Sequence, residues 1–287
     1  MIQQITLSKV FPVIAVCDAL LVSRAGYYAW RDETESLRAA RDRQLLPLVS
    51  DIFWHHKRRY GARRIAVELF AKGQACGVEK VAKLLKMAGL RAIQPKSFVP
   101  KTTQSRHLLG FNQNLLAKAP PPTRCNQIWV VDITYIPLAS GQFAYLSLVL
   151  DLFSRKVVGW ELAETMTEPL VLASLKQAIQ SRQPPLGLLH HSDRGGQYAG
   201  KQYRAILRRA GCIQSMSRAG DCYDNAIMES CFGTIKTELE MTEYDNISQA
   251  RLDIVSYLAY YNLQRRHSSL QYLSPNQFEA QQISPAK

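Results

Sequence analysis

Residues 127–138 read QIWVVDITYIPL, and the aspartate in the middle of that run governs how the rest of the chain is read. The spacing predicts a strand that is apolar on both faces. Trp129, Val131, Ile133 and Tyr135 alternate on one face, and Val130, Thr134 and Ile136 flank Asp132 on the other. An ionised carboxylate in such surroundings is expensive unless it is paired or holds a metal ion. No basic residue lies within the strand to pair it.

The pattern continues outward from this strand as α/β. After a turn at Ser140-Gly141, FAYLSLVLD (143–151) and KVVGWEL (156–162) read as strands around LFSR. A helix is expected over EPLVLASLKQAIQSR (168–182), a strand over LGLLHHSD (186–193) and a helix over QYAGKQYRAILRRAG (197–211). CIQSMS (212–217) is a further strand, and DNAIMESCFGTIKTELE (224–240) and ISQARLDIVSYLAYYNLQRR (247–266) are closing helices. Three strands, a helix, a strand, a helix, a strand and closing helices is the order of the ribonuclease H-like fold. The expectation for 125–287 is therefore an α/β core with a mixed five-stranded sheet and flanking helices.

The preceding part of the chain is different in charge and pattern. Of the 287 residues, 1–124 carry 21 Lys and Arg against 8 Asp and Glu, whereas 125–287 carry 15 against 15, so the whole net charge of +13 lies in the first part. A polyanion, most simply nucleic acid, is the partner this implies. Residues 1–45 hold VFPVIAVCDALL, the break VSRAG and YYAWRDE, a helix-turn-helix-like segment. Residues 46–93 repeat the shape as a helix-turn-helix DNA-binding domain. GARRIAVELFAKG spaces Ile65, Leu69 and Phe70 along one face and stops at Gly73. VEKVAKLLKMAGL then turns Val81, Leu84, Leu85 and Leu90 inward and Lys80, Lys83 and Lys86 outward. Arg63, Arg64, Lys80 and Lys83 are the candidate DNA contacts. Residues 94–124, with QPKSFVPKTTQSR and AKAPPPTR, read as a linker.

The six cysteines show no CxxC spacing and read as reduced thiols, and His55-His56 has no cysteine pair at finger-like spacing, so no zinc is expected. The longest apolar run, 10–22, falls short of the ~20 residues of a membrane span and is broken by Asp18. It lacks a basic leader, so the expectation is a cytoplasmic protein with no membrane partner.

Two further carboxylates stand out. Asp193 closes the strand ending HHSD and opens RGGQY, where two glycines let the backbone pass closely. Glu229 stands just inside the helix that follows SRAGDCYD. With Asp224 as the cap, Asn225, Glu229 and Lys236 share one stripe while Met228 and Phe232 turn to the core. Three carboxylates on three elements offer hard oxygen ligands for Mg2+, with Mn2+ next. Two such ions roughly 3.5–4 Å apart suit phosphodiester chemistry.

The stretches WVVDITYI, YLSLVLDLFSRKVVGW, HSDRGGQY, SRAGDCYDNAIMESCFGTIKTE and YNLQRRHSSLQYLSP together resemble the catalytic subunit (OrfB) of the insertion-sequence-three family of bacterial transposases. Its core is similar to that of retroviral integrases. The resemblance runs from about 125 to 279, and more loosely over SRAGYYAW and YGARRI. Asp193 and Glu229 have 35 residues between them, the family's D,D(35)E spacing. The resemblance implies that Asp132, Asp193 and Glu229 form the catalytic, metal-binding triad, holding two Mg2+ ions with Mn2+ able to substitute. It also implies that Lys236 contacts the donor DNA end. The implied reaction is cleavage at the element's ends, followed by attack of the released 3′-hydroxyl on another phosphodiester. The implied partners are double-stranded DNA bearing terminal inverted repeats, target DNA, further copies of the chain and an upstream-frame (OrfA) partner, all in the bacterial cytoplasm. Gly196, Gly200 and Ala219–Asp221 depart from the family's usual neighbours. Ser192, Tyr198 and Tyr223 are read as packing or hydrogen-bonding groups, and Arg265-Arg266-His267 as a further backbone contact. Two alternatives stay open: a DNA-binding regulatory or assembly subunit that needs its upstream-frame partner, and a ribonuclease H-like nuclease that only hydrolyses.

Overall fold

The structure, a computed structural model, describes residues 11–32, 35–94, 112–217, 226–240 and 243–283, and it divides into two units at Ala92/Ile93. The first unit is helical. α1 (Val13–Ala19) and α2 (Arg24–Arg31) form a hairpin, with the Ser23 hydroxyl accepting from the Gly26 amide at 3.1 Å to start α2. α3 (Leu37–His55), capped in the same way by Ser36, packs on α4 (Ala62–Ala71) and α5 (Val78–Met87). Leu45, Val49, Ile52, Phe53, Tyr60, Ile65, Ala66, Leu69, Val81, Leu84 and Leu85 are the buried apolar side chains of these three helices and the turn between α3 and α4.

Three sequence expectations are corrected here. The boundary at 45/46 falls inside α3, because one continuous 19-residue helix supplies Leu45, Val49, Ile52 and Phe53 to the same core. Phe70 is 73% exposed rather than inward, since Ile65 and Leu69 already fill the buried side of α4. Lys80 is not an open outward cation: its ammonium pairs with Asp42 of α3 and is largely covered.

The second unit is built on a sheet of order β3-β2-β1-β4-β5. β1 (Ile128–Pro137) runs antiparallel to β2 (Phe143–Asp151) and parallel to β4 (Leu189–Ser192). β3 (Val157–Ala163) and β5 (Ile213–Met216) are the edges. Alternation along β1 feeds two cores. Ile128, Val130 and Ile136 join α9 (Ala226–Glu238) and α10 (Ile247–Leu263), whereas Trp129 and Val131 join α6 (Glu168–Arg182) and α8 (Lys201–Arg209). Gly159 lets α6 lie directly on β3, where a Cβ would run into the Ser174 carbonyl and Ala178.

The expected helix 197–211 is broken into α7 (Gly196–Ala199) and α8 at Gly200, whose ψ of 148° is extended. The Glu168 carboxylate occupies the space a side chain at 200 would need and accepts from the Tyr203 amide at 3.2 Å. Residues 95–111 of the expected linker lie outside the described residues, but 112–119 are part of the sheet unit. Asn112 donates to Gln214 at 2.8 Å, the Leu115 amide donates to the Ser215 hydroxyl at 2.9 Å, and Leu116 packs into the core. α11 (Pro275–Ile283), which the periodicity did not indicate, closes the unit. Its Glu279 accepts from Ser154, Lys156 and Arg182 at 2.7–3.0 Å. No single helix among the described residues is long and apolar enough to cross a membrane.

Candidate active site

β1 and β4 are parallel neighbours, with Ile128 opposite Leu189 and Val130 opposite His191. Carrying that register two residues further sets Asp132 opposite Asp193, on the same face of the sheet. Both lie at the C-terminal side of the β1–β4 ladder, where parallel strands open towards loops. Each carboxylate is held locally: Asp132 Oδ1 accepts from the Ile133 amide at 2.8 Å and Asp193 Oδ1 from the Gly195 amide at 2.9 Å. Both are half-buried.

Tyr198 of α7 reports on the pair. Its phenol is fully buried, and burial first, then the negative charges of Asp193 and Asp132, push it well above its ordinary range. One hydroxyl thus feels both aspartates. Remaining neutral, Tyr198 serves as the packing group expected for it. Neighbouring His190 is buried as well, donates to or accepts from Tyr203 Oη at 3.1 Å, and is pushed down to about 3 by burial, so it too is neutral.

The chain leaves β5 beside Asp193. The Ser217 amide donates to the Ser192 carbonyl at 2.9 Å, and Arg194 Nε donates to the Ser217 carbonyl at 2.8 Å. Arg194 was not singled out in the sequence; its place directly after Asp193 is the signal that could have drawn attention to it. Residues 218–225, including Tyr223, Asp224 and Asn225, lie outside the described residues. The chain returns as α9, which covers the Asp132 face with Met228, Cys231, Phe232 and Ile235 buried. Glu229 is exposed in the first turn of that helix.

The structure therefore brings Asp132 and Asp193 together and sets Glu229 on the helix covering the same face. Among the described residues no three acidic, histidine or cysteine side chains stand close enough to hold an ion as they are. The donor set itself is all carboxylate, which suits a hard divalent cation and not zinc.

The other candidates are dispersed. Lys236 places its ammonium 4.1 Å from the centre of the Tyr135 ring, and burial lowers its pKa. Arg63 is exposed and Arg64 lies over the Tyr60 ring, 5.4 Å from its centre. Lys83 is exposed. Arg265 is corrected from a DNA contact to an interior residue. α10 ends at Leu263, short of the expected Arg266, and the chain turns back so that Arg265 is only 5% exposed and pairs with Glu238 at 2.7 Å. Arg266 is half-buried and donates to the Tyr272 carbonyl at 2.9 Å.

Comparison with known proteins fits this division. Integrase core domain family models match residues 122–222 and 210–275, and an HTH-like domain model matches 40–98. The "Insertion element IS600 uncharacterized 31 kDa protein" of Shigella sonnei is 40% identical over 265 residues, covering 92% of this chain and 97% of that one. "Transposase InsF for insertion sequence IS3A" of Escherichia coli (strain K12) is 37% identical over 278 residues, 96% of each. Among solved structures, the HTLV-2 integrase catalytic core domain in complex with magnesium aligns with a TM-score of 0.45 and 17% identity, over 55% of this chain and 98% of that one.

Proposed function

The chain belongs to the IS3 family of insertion-sequence transposases, and on that premise we propose that Asp132, Asp193 and Glu229 are the carboxylates at which it cuts and joins DNA. The protein is a DNA transposase, a polynucleotidyl transferase whose core depends on a divalent metal. The observation that carries the residue assignment is the β1–β4 register, which supports a shared role for Asp132 and Asp193. Glu229 completes the donor set from the helix over the same face.

In this reading the metal is Mg2+, replaceable by Mn2+, and two ions are held. When bound, they supply activation of the attacking hydroxyl and stabilisation of the leaving oxygen. The protein's own part is to present the oxygens on a rigid strand pair and to keep water from beneath them with the buried Tyr198 ring. Lys236 and Asn225 meet the donor end, and Arg63, Arg64 and Lys83 of the helical unit hold duplex DNA through its phosphates. Lys80 contributes less, because Asp42 already engages it. Bringing two element ends together calls for more than one copy of the chain on DNA, with an upstream-frame partner aiding recognition of the terminal repeats, in the bacterial cytoplasm.

The test is strand cleavage and joining on DNA carrying the element's ends, with Mg2+, for wild type and Asp193→Asn. The expected result is joined product from wild type and none from the variant, with end binding in chelator equal for both. Joining by Asp193→Asn at the wild-type rate would reject the assigned site, and cleavage without joining would favour a hydrolytic nuclease.

A further inference from the structure

α9 carries Glu229 near its start and ends in a buried carboxylate, Glu238, which is 7% exposed. Glu238 continues the buried stripe of Met228, Cys231 and Ile235, a position where an apolar side chain would pack at lower cost. It is instead gripped by Arg265. Nε lies 3.0 and 2.9 Å from the two carboxylate oxygens, Nη2 is 2.7 Å from Oε1, and the Tyr257 hydroxyl donates to Oε2 at 3.0 Å. Arg265 is in turn 3.3 Å from the His267 ring nitrogens, and its guanidinium lies 5.7 Å from the Tyr261 ring centre. A second grip lies two turns along from Glu229, where Lys236 sits over Tyr135, three residues beyond Asp132 on β1.

Helix geometry relates these points. Lys236, seven residues on, lies within roughly 20° of Glu229 around the axis; Glu238, nine residues on, lies on the opposite side and about 13 Å away. α9 is therefore fixed against rotation on both sides. Net stability is a poor reason for the inner grip, because a buried ion pair is often no more stable than a well-packed apolar replacement. Its directional hydrogen bonds do set the azimuth of the helix, and hence where Glu229 points.

We infer that Arg265, Glu238 and Tyr257 are positioning residues that aim Glu229 at the metal site. The inference rests on the carboxylate assignment proposed above. Its consequence is that metal affinity depends on a cluster that touches neither metal nor DNA.

The test uses the full chain, with Mn2+ binding read by electron paramagnetic resonance of the free ion. The variant Glu238→Leu/Arg265→Met/Tyr257→Phe replaces the cluster by apolar groups. Thermal melting and end binding in chelator should match wild type, while Mn2+ affinity should fall about tenfold. Arg265→Lys, which keeps the charge but loses the two-pronged grip, should fall in the same direction and serves if the triple variant does not melt cooperatively. A folded variant that binds Mn2+ within about twofold of wild type would overturn the inference. Asp193→Asn separates the two levels: if it binds Mn2+ as wild type does, the carboxylate assignment fails and takes this inference with it. If it loses binding while the cluster variants keep theirs, only the positioning role fails.

Discussion

In the helical unit Arg63, Lys83 and Lys86 reach solvent, whereas in the sheet unit several of the cations are drawn into contacts within the unit. Arg182 and Lys156 hold Glu279, Arg265 holds Glu238, Arg251 holds Glu161, and Lys236 sits on Tyr135. The balance of 15 against 15 in residues 125–287 is thus partly a structural pairing, while the excess of 13 lies in the residues before it. A charge count indicates a partner where cations remain at the surface; where they are paired inside, it indicates architecture.

The largest expected effect lies in the sheet unit. Asp193→Asn should lower strand transfer by roughly 10³-fold, since metal-borne charge stabilisation is worth several kcal/mol. End binding measured in chelator should be unchanged; if both fall together, the units do not divide the labour as described. Arg265→Ala should come next, destabilising the fold by about 3–5 kcal/mol in denaturant unfolding because Glu238 is left buried and unpaired. Its salt dependence of DNA binding should equal that of wild type. A reduced salt slope would mean that this arginine does meet phosphate.

Acid should also distinguish the units. Buried His190 stays neutral down to about 3, whereas an unfolded histidine takes up a proton near 6.5. As pH falls below about 6.5 the unfolded chain gains a proton that the folded one refuses, so stability drops towards pH 3 by at most about 1.4 kcal/mol per pH unit from this group. Melting curves of wild type and His190→Gln between these limits should converge at acid pH, and parallel curves would exclude the effect. The smallest change should follow Lys83→Ala, which should cut the slope of log affinity against log salt by about 0.9 and leave the rate on saturating DNA unaltered. An unaltered slope would remove Lys83 from the interface.

Much of the molecule could be read in advance. The limits of β2 at Phe143–Asp151 and of α6 at Glu168–Arg182 match the quoted stretches, because each has a strong period and clear breakers at its ends. The Arg265 grip could not be read, since RRH near a helix end looks the same whether the chain runs on into solvent or turns back. Nor could the break at Gly200, which depends on Glu168, a residue 32 positions earlier.

The order of strands and helices, the basic character of the first 124 residues and the identity and spacing of the three acids are properties of the chain alone, set by local periodicity and composition. Their placement was decided by the fold: parallel pairing of β1 with β4 carries Asp132 and Asp193 to the same end of the ladder, though 61 positions separate them. Which cations stay outside was decided there too, because burial favours pairing over hydration only when distant segments supply the partner.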